Sequence, residues 1–90
     1  MASDSFEDLL EELTNVGGPS GFEEPVRRIV ERELEPIVDT REIDGLGSSI
    51  SVLTNKSAKY RVLLTAHMDE LGLLVKRITP EGFLKFQPIG

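Results

Sequence analysis

The 90-residue sequence has no cysteine and no tryptophan, and its one histidine is His67. Without cysteine there is no disulfide framework and no thiolate metal site. No run approaches the roughly 18 apolar residues of a membrane span. The opening Met1-Ala2-Ser3-Asp4-Ser5 lacks both the basic and the apolar region of a signal peptide. Bases are outnumbered: ten Lys plus Arg against 16 Asp plus Glu give a formal net charge of −6. That balance disfavours general binding to nucleic acid or to an anionic membrane. A cytoplasmic protein with neither partner is the expectation.

What is present builds a modest core. The chain is 39% hydrophobic, and one this short buries only about 60% of its unfolded surface. The acids crowd residues 1–45, where 13 face four bases; residues 46–90 hold three acids and six bases. Most of those acids fall on two candidate helices, as solvated faces do.

Phe6, Leu9, Leu10, Leu13 and Val16 follow helical spacing and predict a first helix. Ser3, Asp4 or Ser5 can cap it, and Gly17-Gly18-Pro19 stops it. Ser20 and Glu23 have capping-box spacing before a second helix, whose stripe is Val26, Ile29, Val30 and Leu34. Pro25 fits only its first turn, so the true cap can fall a residue or two after Ser20. Glu23 with Arg27 and Glu24 with Arg28 are i,i+4 ion pairs in the favourable order, and Pro36 ends the helix near Leu34.

After Pro36 the period changes to that of strands. The expectation is about five: 37–43, 50–54, 61–66, 71–78 and 83–86. Turns fall at Asp44-Gly45-Leu46-Gly47-Ser48, at 55–59 and at Thr79-Pro80-Glu81-Gly82. The run 61–66 is nearly all apolar, as in a strand covered on both faces. The fold class is α/β, or α+β as a fragment, with two amino-terminal helices and then the strands.

One short stretch could carry chemistry. His67 follows the most apolar predicted strand, and ligands in open sheets gather beyond the carboxyl ends of strands. In extended chain, residues 67 and 69 point to the same side, which brings Asp69 to the imidazole. A ligating histidine commonly donates its other ring N–H to a carboxylate, which fixes the tautomer. A histidine and an aspartate on an ordinary loop have the same spacing, and zinc needs three or four protein ligands. Glu23, Glu24, Asp44, Asp69 and Glu70 are further donors, but their spacing nominates no set. Ser20 lacks a Gly-x-Ser-x-Gly elbow. Asp44-Gly45-Leu46-Gly47 lacks the lysine of a phosphate loop, so its glycines serve a turn.

In order along the chain stand Gly17-Gly18-Pro19-Ser20-Gly21-Phe22-Glu23, Asp44-Gly45-Leu46-Gly47, Thr65-Ala66-His67-Met68-Asp69-Glu70-Leu71-Gly72-Leu73-Leu74-Val75 and Glu81-Gly82-Phe83-Leu84-Lys85-Phe86-Gln87-Pro88-Ile89-Gly90. Together they resemble the amino-terminal part of the tetrahedral-type and glutamyl aminopeptidases, dinuclear metallopeptidases some of whose relatives carry an endoglucanase label. The likeness covers nearly all of the chain. Its specific part is the pairing of the Ala-His-Met-Asp-Glu block with the Gly-Phe-Leu-x-Phe block.

The resemblance implies that His67 ligates one of two divalent metal ions, zinc or cobalt, and that Asp69, the catalytic-site carboxylate of this stretch, holds the ring. The metals would activate a water for attack on a peptide with a free amino terminus. It also implies a cytoplasmic homo-oligomer. Residues 1–72 would be the first part of a catalytic domain and 73–90 the start of an inserted β-rich dimerisation domain. Ser48 departs from the asparagine common after the Asp-Gly-x-Gly turn. The larger departure is length: family members are several times longer, with the remaining ligands and a general-base glutamate further along. Three readings follow: a partial metallo-aminopeptidase inactive alone, a non-catalytic α+β interaction module that pairs with a full-length relative, and a small protein whose His-x-Asp is incidental.

Overall fold

The computed structural model describes residues 5–90. Helix α1 spans Phe6–Asn15 and begins where its pattern predicts. Ser5 is the cap: its Oγ accepts a hydrogen bond from the Asp8 amide at 3.1 Å, satisfying one of the free N–H groups of the first turn. Ser3 and Asp4 lie outside the described residues.

Helix α2 spans Glu24–Leu34, with Pro25 in its first turn. Its cap is Glu23, which makes no side-chain cap bond. Ser20 therefore does not cap the helix; the chain turns once more between them, and the Glu23 carboxylate accepts from the Gly21 amide at 2.8 Å. Val26 and Ile29, each 8% exposed, form the buried hydrophobic core among the described residues. The two helices are tied by Arg32, whose Nη1 and Nη2 donate to the two carboxylate oxygens of Glu12, each at 2.7 Å. Glu12 is thus an interhelical partner and not a freely solvated acid.

Strands β1 (Thr40–Ile43) and β2 (Ser49–Val52) pair antiparallel, with Thr40 opposite Val52 and Ile43 opposite Ser49. Their turn is organised by Asp44, whose Oδ1 accepts from the amides of Leu46 and Ser48, each at 2.9 Å. Gly47 has φ +87°, a left-handed conformation that glycine adopts without a Cβ penalty. Helix α2 packs on β2. Strands β3 (Gly72–Ile78) and β4 (Leu84–Ile89) form a second antiparallel hairpin with an irregularity between Val75 and Arg77.

The described residues therefore hold four strands in two separate sheets, and not about five. The difference is the apolar run 61–66, which belongs to no strand. A strand exists only where a neighbour takes its backbone hydrogen bonds, and neither hairpin lies alongside this run. Val62, Leu63 and Leu64 are 82–89% exposed. The whole is long and open: the radius of gyration is 17.5 Å, against about 12 Å for a compact domain of this length.

Candidate functional site

The run 61–66 leads straight into His67. Residues 67–69 are not in a strand, yet the i,i+2 geometry holds. His67 Nδ1 lies 2.9 Å from Asp69 Oδ1 and 3.0 Å from the Asp69 carbonyl oxygen. A carbonyl oxygen only accepts, so Nδ1 carries the proton and donates to both. A ring with its one proton on Nδ1 keeps its lone pair on Nε2. Asp69 thus selects a tautomer and clamps the ring, while the imidazole itself is 85% exposed.

His67 and Asp69 border a cleft lined also by Glu23, Leu34, Gly47 and Ser48. Three separate parts of the sequence meet there: the start and end of α2, the β1–β2 turn, and the segment after the apolar run. One link between them is Arg27, which donates from Nη1 to the Gly47 carbonyl at 3.0 Å and so does not make the expected ion pair with Glu23. The other expected pair, Arg28 with Glu24, is formed.

Of the carboxylates that sequence left as possible ligands, only Glu23 and Asp69 join His67 at the cleft. Asp44 is engaged in its own turn. Hydrogen bonds from Ser48 and then Leu46 hold its carboxyl below the usual carboxylate range. Glu70 turns to the α1–α2 loop, where its Oε1 accepts from the Gly18 amide at 3.1 Å. Sequence reasoning did not anticipate that bond. It joins residues 52 positions apart, and no local pattern announces it. Among the described residues no group of three or more His, Cys, Asp and Glu is placed to hold a metal ion. No helix among them is long and apolar enough to cross a membrane.

The profile of one protein family, M42 glutamyl aminopeptidase, matches residues 47–90, the stretch that carries His67 and Asp69. The chain is related to the M42 glutamyl aminopeptidases. An Acetivibrio thermocellus protein, provisionally named an aminopeptidase, is 38% identical over all 90 residues, which make up 27% of its own length. A TET aminopeptidase structure from a marine sediment archaeon, Thaumarchaeota archaeon SCGC AB-539-E09, superposes with a TM-score of 0.83 at 36% identity. The match covers 93% of this chain and 23% of that one. A Thermotoga maritima structure named an endoglucanase gives 0.81 at 36% identity, over 90% of this chain and 26% of its own. The structure of PhTET1-12s, described as a dodecamer, gives 0.80 at 38% identity, over 96% and 26%. The chain thus has the fold of part of these solved structures and spans about a quarter of the length of the curated relatives it matches.

Proposed function

We propose that the chain is the amino-terminal part of a metal-dependent aminopeptidase and contributes one metal ligand, His67, with Asp69 as its orienter. The observation that carries this reading is the Nδ1–H donated to Asp69 at 2.9 Å, on the stretch that matches the M42 family. It leaves Nε2 as a free donor of the kind divalent metals take.

The residues present fit one ligand position and not a complete centre. Zinc takes three or four protein ligands, and two ions, zinc or cobalt, take more. The described residues gather no such group, so the other donors and the general base would come from sequence outside these 90 residues. On this reading residues 1–72 open the catalytic domain and 73–90 open a β-rich dimerisation domain. The substrate is a peptide with a free amino terminus, and the working form is a cytoplasmic homo-oligomer. The dodecameric relative supports the oligomer, and the net charge of −6 agrees with the absence of a nucleic-acid or membrane partner.

A second reading, a non-catalytic module that pairs with a full-length relative, is favoured by one observation. Val62, Leu63 and Leu64 are uncovered, and an apolar run in extended chain is suited to burial in a larger sheet.

The test is hydrolysis of amino-acid anilides by the purified 90-residue chain with added zinc or cobalt, beside a His67→Ala control. The expected result is no turnover above that control from the chain alone. Turnover should appear when the remainder of a related enzyme is supplied, and should vanish with His67→Ala. Metal-dependent turnover by the chain alone would overturn the single-ligand reading. Pairing with the remainder that gives no turnover would favour the module.

A further inference from the structure

The segment that carries His67 and Asp69 belongs to neither sheet, yet it has one firm attachment. Residues 18–19 of the α1–α2 loop run beside residues 68–72, with Pro19 and Glu70 forming a parallel bridge. The Glu70 amide donates to the Gly18 carbonyl at 2.9 Å, and the Glu70 carboxylate accepts from the Gly18 amide at 3.1 Å. Glu70 thus holds both backbone groups of Gly18, one through its main chain and one through its side chain.

Packing locks the same contact. Gly18 is buried; a Cβ there would stand 2.4 Å from Val26 Cγ2 and 3.8 Å from the Met68 carbonyl oxygen. A Cβ on Gly72 would stand 2.7 Å from Pro19 Cβ. Neither approach is open to a larger residue without movement. A buried amide needs an acceptor, because leaving it unpaired costs the desolvation of the group. For Gly18 that acceptor is Glu70.

We propose that Glu70 is a positioning residue. By closing on Gly18 it anchors the 67–70 segment to the loop that leads into α2, and so fixes the backbone from which His67 and Asp69 meet. The Nδ1–H hydrogen bond needs two residues of one short loop to keep their relative orientation. The clasp begins at the residue after Asp69; without its side-chain half the Gly18 amide loses its acceptor and the main-chain bond alone would hold the segment less firmly. Glu70 does not touch the imidazole and acts only through this anchoring. The inference concerns the site used in the proposed function, but it is tested on the ring and not on turnover, so the two can fail separately.

The test compares Glu70→Ala and Glu70→Gln in the 90-residue chain by nitrogen-15 NMR of the His67 ring, with amide exchange at Gly18. The spectra are taken at about pH 8, where an ordinary imidazole is neutral. Glu70→Ala should lower the Nδ1–H tautomer population and speed Gly18 exchange about tenfold, as expected for one lost hydrogen bond. Glu70→Gln keeps an acceptor oxygen and should restore both toward wild type. Amide signals of β3 and β4 report whether the fold survives. Faster Gly18 exchange with an unchanged ring tautomer would reduce the clasp to a structural role and overturn the proposal. So would a Gln variant that loses the tautomer while its hairpin stays intact, and that outcome can be read even if the Ala variant unfolds.

Discussion

Helix α2 and the strand half of this chain treat their apolar residues in opposite ways. In α2 the amphipathic stripe finds cover, with Val26 and Ile29 buried; α1 buries no residue and leaves Phe6 and Leu10 exposed, but Ser5 caps it and Arg32 ties it to α2. Between the hairpins and in the turn of the second, Tyr60, Val62, Leu63, Leu64, Leu71 and Phe83 are all more than 70% exposed. A helix satisfies its backbone internally and needs only one face covered. A strand needs a neighbour to take its backbone hydrogen bonds and cover for its apolar faces. The described residues therefore satisfy the helices more fully than the strands.

The sharpest way to break this comparison is to remove apolar mass from each half. Ile29→Ala should cost about 2 kcal/mol of stability, the low end for a buried isoleucine because so little else is packed around it. Urea unfolding followed by circular dichroism measures this. A loss below about 0.5 kcal/mol, the scale of an ordinary surface change, would mean that α2 does not keep its packing on β2 in solution. Ser5→Ala should cost about 1 kcal/mol through the lost cap bond, seen as a lower urea midpoint and faster exchange of the Asp8 amide. Leu63→Ser should fall within about 0.5 kcal/mol of wild type, although it removes as large a side chain as Ile29→Ala alters. A cost equal to that of Ile29→Ala would show that the 61–66 run is covered in solution, and light scattering would then tell whether a second copy covers it.

The sequence made the helices legible because their signals are local. Period, cap and stop residues all lie within a few positions of each other, and both helices begin and end within about two residues of expectation. The error at Ser20 is also local: the capping-box spacing is real, but Pro25 allows the helix to start later, after Glu23. The turn at 44–48 was legible for the same reason, since Asp44 and Gly47 are suited to their places. The run 61–66 was not. Its composition is that of a buried strand, but a strand is a relation between segments, and none of the described residues supplies its partner. The candidate site divides along the same line. The meeting of His67 and Asp69 followed from i,i+2 geometry and fixed the ring tautomer. The attachment of that stretch through Gly18 with Glu70, and the link of α2 to the β1–β2 turn through Arg27 with Gly47, span 52 and 20 residues and leave no trace in spacing.

The gentlest probe asks whether the β1–β2 turn sides with the helical half in being self-sufficient. Amide hydrogen bonds from Ser48 and Leu46 hold the Asp44 carboxyl below its usual range, whereas in the unfolded chain it titrates at about 4. As the pH falls, the unfolded chain takes up this proton first. The stability contributed by Asp44 is therefore complete above the unfolded value and is lost as pH drops through the lower folded one. Asp44→Asn keeps an oxygen that can accept from both amides and removes the titration. It should be somewhat less stable than wild type near neutrality, where the ionised carboxylate contributes in full, and should decline less steeply on acidification below about pH 4, so that the two proteins converge. Parallel curves for the two proteins would mean that the turn is not formed by these bonds in solution. The turn would then depend on Arg27 holding Gly47 from α2, and the strand half would lean on the helices even in its most local element.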